Sequence, residues 1–412
     1  MRKVLTGTAV LVCIFMLSSC IKDKLTKTYT IFEPVYRDKA TVLGEIKSNP
    51  ARSIQNPGKI YKYGNFIFLN EVNKGVHVID NSNPSNPLIK AFISIPGNVD
   101  IAVKGNILYA DLYTDLVVIN ISDPLQANLV KLVPSIFPER QYGNGFNPDT
   151  TKVIVDWIQK EVTVRISAFD NGGLCTNCSV LQSSGGSGAA ASPTIGIGGS
   201  MARFALVNDY LYAVNRANLQ VLNTNNPANP VHTATRFIGW NIETIYPFKQ
   251  KLFIGSSTGM FIFNINNPAL PVNEGAFTHA RACDPVVADD NFAYVTLRAG
   301  NFCQGTNNQL DIINVQNLPS VSLVKTYNMT NPFGLAKDGN LLFICDGKDG
   351  LKVYDSGNVL NLQLRKHIKG METFDVIAAN SILLLVAKDG LYQYSYSNPD
   401  NIHLLSKITV NR

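Results

Sequence analysis

Gly75-Val76-His77-Val78-Ile79-Asp80-Asn81 decides the fold, because its centre recurs along the chain. Val76–Asp80 is matched by Leu116-Val117-Val118-Ile119-Asn120, Leu219-Gln220-Val221-Leu222-Asn223 and Met260-Phe261-Ile262-Phe263-Asn264. Three more follow: Leu310-Asp311-Ile312-Ile313-Asn314, Leu351-Lys352-Val353-Tyr354-Asp355 and Leu391-Tyr392-Gln393-Tyr394-Ser395. Each is a short apolar run, rich in β-branched and aromatic residues, that closes on Asp, Asn or Ser; this is strand chemistry, not helix chemistry. The closing residues stand at 80, 120, 223, 264, 314, 355 and 395, at steps of 40, 103, 41, 50, 41 and 40. The long step holds a 62-residue insertion, 139–200, and shortens to 41 without it. Seven units of about 41 residues are the signature of a β-propeller.

Unit two shows four strands per unit. Asp100–Val103 is a short apolar strand, Lys104-Gly105-Asn106 turns, and Ile107–Asp111 returns. Leu116–Asn120 is the third strand, Ser122-Asp123-Pro124 turns, and Asn128–Val133 is the fourth. Asx-Pro pairs at Asn83-Pro84, Asp123-Pro124, Asn226-Pro227, Asn267-Pro268 and Asn398-Pro399 mark the turn after strand three, where an Asx side chain caps the turn and Pro presets φ. The predicted fold is all-β: a propeller of seven four-stranded blades over 56–410, with a hairpin and loop insertion after blade two. Thr41–Lys47 also reads as a fourth strand, so eight blades is the alternative, or an added strand where the termini meet. Within the insertion, Lys152–Asp156 and Val162–Ser167 read as a hairpin around Trp157-Ile158-Gln159-Lys160, leaning over the channel mouth. The Gly/Ser/Ala-rich stretch 171–200 reads as a loop.

The apolar third strand ending in Asp or Asn, the Asx-Pro turn and the Gly-Asn turn between strands one and two resemble the LVIVD-repeat propellers of exported bacterial proteins. The resemblance covers roughly Asn56–Val410. Gly75–Asn81, Gly199-Ser200-Met201-Ala202-Arg203-Phe204 and Cys283-Asp284-Pro285 are similar to a group of Bacteroidota lipoproteins without an assigned activity. The resemblance implies a fold and an address, not a reaction.

The N-terminus carries the address. Arg2 and Lys3 precede an apolar stretch, Val4–Met16, of signal-peptide length, too short to span a bilayer comfortably. Leu17-Ser18-Ser19-Cys20 resembles the bacterial lipobox, which implies a signal peptide over 1–19 and lipidation at Cys20. Residues 20–55 then form a lipid-anchored tether and N-terminal strand. Ile21 is not the aspartate that holds lipoproteins at the inner membrane. Lys22-Asp23-Lys24 resembles a surface-export tag that lacks its second acid, so the expected place is the outer membrane, at the cell surface ahead of the periplasmic leaflet.

Composition narrows the function. Of 412 residues, 43 are Asn, which favours turns, and only 16% are charged against a usual quarter. The formal charge is +6, but no basic run of five appears, so nucleic acid is not an expected partner. The five histidines, His77, His232, His279, His367 and His403, form no zinc-type pair. His77 reads as a packed strand residue. Gly255-Ser256-Ser257-Thr258-Gly259 matches the nucleophile-elbow pattern but falls between two strands, so it reads as a hairpin loop. Cys175-Thr176-Asn177-Cys178 lacks a strand–helix setting for redox work and reads as a local disulfide. Cys283 and Cys303 fall on one face of one blade and are a second disulfide candidate. Cys345 ends a second strand and reads as a buried free thiol.

Loops between strand four and the next strand one share a face with loops between strands two and three, and ligands favour that face. The first set contributes Lys59, Asp100, Arg203, Glu243, Asp284 and Asp375; the second contributes Glu71, Asp111, Arg216, Arg298 and Asp346. These charges either pair with each other around a solvated rim or bind a polar ligand. Asp100, Asp284 and Asp375 are the set that would ligate calcium, although no local calcium loop accompanies them; otherwise no cofactor is expected. No catalytic residues stand out. The expected function is noncatalytic: a surface lipoprotein tied to the membrane by its anchor, with a propeller that binds a protein, glycan or other envelope partner. The alternatives are a hydrolase or lyase acting at the channel mouth, and a periplasmic scaffold for outer-membrane assembly.

Overall fold

The computed structural model describes residues 26–140, 150–165, 197–278, 285–299 and 307–411. They fall into two units. The smaller holds most of a two-stranded ribbon, Thr26–Asp38 paired with Lys152–Arg165. Thr28 and Thr163 share a 2.9 Å hydroxyl bond, and Lys160 meets Glu33 at 3.0 Å.

The larger unit is a seven-bladed propeller. Blade one consists of Pro57–Tyr63, Phe66–Glu71, Gly75–Asp80 and Leu88–Ser94; blade two of Ile101–Lys104, Ile107–Leu112, Asp115–Asn120 and Asn128–Val133. Blades three to seven span 204–237, 242–278, 286–328, 335–368 and 373–409, each an antiparallel meander of four strands. First strands pack on first strands in succession, and blade seven packs on blade one, which closes the ring. Ile54, Ile60 and Leu69 share a core there with Ile377, Leu384 and Val386.

The repeated sequence is repeated structure. The polar residue closing strand three accepts a hydrogen bond from the amide two residues on: Asp80 from Ser82 (3.0 Å), Asn120 from Ser122 (2.9 Å), Asn223 from Asn225 (2.8 Å) and Asn264 from Asn266 (2.7 Å). Asn314 and Asp355 do the same with Gln316 and Gly357, both at 3.0 Å. An acceptor of this reach ends the strand and starts the Asx-Pro turn. In every blade the register between strands three and four slips by one residue, as at Val78/Ile79 and Gln393/Tyr394. Such bulges increase twist, which suits radial packing. Tyrosines tie blades together: Tyr109 donates to the Pro227 carbonyl and Tyr212 to that of Pro268, both at 2.8 Å.

Two expectations are corrected. Lys39–Gly44 is a helix, not part of a fourth strand, because Asp38 caps it by accepting from the Thr41 amide (2.8 Å) and hydroxyl (2.9 Å). The extra strand comes just after it: Ser48–Pro50 adds to the outer edge of blade one, while blade seven has its own four strands. Nor do residues 152–165 fold into a hairpin; they are one continuous strand. Trp157–Lys160 contains no Gly, Asn, Asp or Pro to turn the chain, and the strand finds a partner far away in sequence.

Candidate functional site

Part of the central channel is occupied by the chain itself. Ile197–Gly198, where the insertion returns to the propeller, pairs antiparallel with Tyr61 and Lys62 on the inner edge of blade one. Ser200 is buried, and its hydroxyl oxygen accepts from the Leu335 amide of blade six. Gly199 and Gly334 pack against the Asp375 carboxylate of blade seven, so closely that a Cβ at either position would collide with it. A remaining cavity of about 70 Å³ lies between this plug and Tyr246, Val287, Ala336 and Ile377.

Five of the charges expected at the rim, Lys59, Glu71, Asp100, Asp111 and Asp346, make bonds that hold the fold. Lys59 and Asp100 are both buried and meet at 3.1 Å. Burial pulls the Lys59 ammonium below its ordinary range, and Asp100 opposes that shift. Asp100 also accepts from the main-chain amides of Arg203 and, at 3.2 Å, Phe204, which docks blade three on blade two.

The second set shows a recurring device. Glu71, Asp111 and Asp346 lie within one residue of the end of the second strands of blades one, two and six, and each receives two amides from the segment entering strand one. Glu71 takes those of Gln55 and Asn56, Asp111 those of Val99 and Asp100 (both 2.9 Å), and Asp346 those of Thr330 (3.0 Å) and Asn331 (2.7 Å). Each also has a cationic or titratable partner: His77 for Glu71 at 2.8 Å, Arg140 for Asp111, and Lys352 for Asp346 at 2.5 Å. Arg140 was not singled out in the sequence, since its partner lies 29 residues earlier.

Glu243, Arg203 and Arg298 form the remaining charged group. Desolvation pushes the Glu243 carboxyl up to about 7, against the pull of Arg203 and Arg298. Arg298 stacks 3.7 Å over the Phe333 ring, and burial lowers its guanidinium to about 10. Arg216 is exposed. Among the described residues no three His, Cys, Asp or Glu side chains are grouped to hold a metal. Asp284, Cys20, Cys175, Cys178, Cys283 and Cys303 lie outside the described residues. Cys345 is a buried free thiol, raised well above its ordinary pKa by burial. His77 is fully buried, and Ser257-Thr258 is the turn of a plain hairpin.

The same face carries an aromatic pair the sequence did not reveal. Trp240 and Phe237 are 72% and 61% exposed, with rings 5.6 Å apart and nearly perpendicular. Their loop is pinned by Ile238 N–H to Ala217 (2.9 Å), Ile242 N–H to Arg216 (3.0 Å) and Ser257 N–H to Asn241 (3.0 Å).

The fold is a seven-bladed β-propeller, and the LVIVD repeat matches residues 58–93 and 97–133, which make blades one and two. No curated protein matches the sequence. Among solved structures, a protein from Lactobacillus plantarum is similar at 11% identity, over 86% of this chain and 97% of that one, with a TM-score of 0.53. Dihydro-heme d1 dehydrogenase NirN in complex with DHE is similar at 12% identity, over 88% and 68%, with a TM-score of 0.51. Likeness at this level conveys the fold alone.

Proposed function

We propose that this chain is a lipid-anchored envelope protein, displayed at the cell surface, whose propeller is a noncatalytic binding or scaffold module for an envelope protein or glycan. The observation that carries this reading is the partly plugged axis. Residues 197–200 occupy part of the channel, against blades one, six and seven, and the buried Asp111 and Asp346 of the rim are engaged in structural bonds. Among the described residues, the face offers a preorganised loop with two exposed aromatic rings beside an exposed Arg216. Trp, Tyr and Arg dominate binding hot spots.

The lipobox at Leu17–Cys20 supports the anchor. Cys20→Ala should release the protein from washed membranes; a variant that stays with the envelope after a high-salt wash would reject the anchor. Pull-down from detergent-solubilised envelope with the anchored protein tests the binding role. Trp240→Ala should cost on the order of 2 kcal/mol in affinity for the captured partner. Capture that is indifferent to Trp240 and Phe237 would remove this face from the function, and protease shaving of intact cells reads the leaflet.

A further inference from the structure

The ribbon of Thr26–Asp38 and Lys152–Arg165 has two unlike sides. Its Thr28–Thr163 and Glu33–Lys160 contacts define them: Thr28 and Glu33 are an odd number of residues apart, as are Lys160 and Thr163, so the two contacts lie on opposite sides. The side of the ion pair carries Tyr29, Ile31 and Val35 from one strand and Ile158 and Val162 from the other. The charges at its centre, Glu33 and Lys160, neutralise each other at 3.0 Å. The opposite side is richer in polar groups: three threonines, Gln159 and Glu161 accompany Phe32 and Trp157.

Two strands alone are marginally stable in water, and a ribbon with an apolar side gains from a further strand, a helix or another apolar surface against it. Among the described residues no third strand joins this sheet. None of the five apolar side chains is fully buried: Ile158 is 59% exposed and the others are half-buried. A cover lies close by in the chain. Thr26, where the ribbon begins, follows Cys20 by six residues, a reach of at most about 20 Å. With Cys20 acylated, the bilayer surface is held within that reach, so contact with it costs little further translational freedom. A second copy of the chain would have to be found by diffusion and has no such advantage.

We propose that the apolar side of this ribbon rests on the lipid bilayer, at the boundary between headgroups and acyl chains. The inference depends on the anchor at Cys20 proposed above. Tyr29 suits this depth, because its ring is apolar in body and polar at the tip. The ribbon goes no deeper: its outer edges carry backbone groups that need water or headgroups as partners, and hydrocarbon supplies none. The ribbon thus gives the anchored chain a second contact with the membrane. Alone, such a contact is reversible and is lost on washing, so the release expected of Cys20→Ala stands.

Fluorescence of the acylated full-chain protein in phosphatidylethanolamine/phosphatidylglycerol vesicles tests this, with a nitroxide near the headgroup end of the acyl chains as quencher. The chain has two tryptophans. Trp240→Phe leaves Trp157, on the more polar side, as the reporter; Trp240→Phe/Trp157→Phe/Ile158→Trp moves the reporter to the apolar side. Quenching at position 158 should be at least about twice that at Trp157, because neighbouring residues of a strand point to opposite faces. A second measurement needs no substitution in the ribbon. The backbone amides of 28–33 and 158–163 should exchange hydrogen at least about fivefold more slowly in the vesicle-bound protein than in soluble Cys20→Ala, with blade four unchanged. Retention after a high-salt wash with neither effect would overturn the ribbon's role and keep the anchor, whereas release on washing would overturn both. Slowed exchange without quenching would give this side to a second copy of the chain, and that too would overturn the proposal.

Discussion

Glu243 and Asp111 show how differently two acids on one face can behave. The Glu243 carboxyl is pushed up to about 7 from an ordinary 4.5, so the folded protein holds this proton more tightly than the unfolded chain does. Its contribution to stability is therefore fully present below about pH 4.5 and lost as pH rises through about 7. Glu243→Gln, which keeps the neutral form at every pH, should raise the thermal midpoint at pH 8 and leave it unchanged at pH 4. The shift bounds the gain at roughly 3 kcal/mol, and a destabilised variant at pH 8 would reverse the argument. Asp111 is held by direct bonds: it accepts from Val99, Asp100 and the Asn98 side chain and pairs with Arg140. Asp111→Ala should cost about 3 kcal/mol in urea unfolding, because buried donors and a cation lose their partner together. A cost below about 1 kcal/mol would mean that water replaces the carboxylate. Both acids were visible in the sequence as rim candidates. Their roles were not, since the amides that Asp111 receives lie 11 and 12 residues earlier and depend on blade register.

Among the elements, the plug is the one that most changes how the molecule reads. The sequence reads residues 197–200 as the end of a Gly/Ser-rich loop and Gly199-Ser200 as the start of a family-like segment, and neither reading places them in the channel, since two paired residues carry no periodicity. Their place is decided by the inner edge of blade one, by the Leu335 amide and by the room that Gly199 leaves for Asp375. Gly199→Val should expel the segment, lower stability by about 1–3 kcal/mol through overpacking and open residues 197–202 to limited proteolysis. If the segment remains protected, the contact with Asp375 is slack. The strand 152–165 teaches the complementary lesson. Its alternation was readable and its partner was not, because a local hairpin and a distant ribbon bury the same pattern.

At the scale of the whole molecule, ring closure joins residues more than 300 positions apart. Ile54 bridges Val410 in parallel, the Asn411 amide donates to the Ile54 carbonyl at 2.8 Å, and Asn81 and Gln393 exchange side-chain bonds of 3.0 and 2.6 Å. Ile54→Cys with Val410→Cys should form a disulfide whose oxidised form is more stable than its reduced form by about 2–4 kcal/mol; equal midpoints would show that the closure does not open on unfolding. The sequence by itself determined the strand chemistry, the seven-fold period, the turns and the buried Cys345, because each depends on residues within one blade. A strand's alternation and an Asx acceptor two residues from its amide are local facts. Only the tertiary structure decided which strand accompanies Lys152–Arg165, which segment enters the channel, and where Trp240 and Arg140 come to lie. Those outcomes turn on shape and desolvation between segments far apart in the chain, and no spacing in the sequence encodes them.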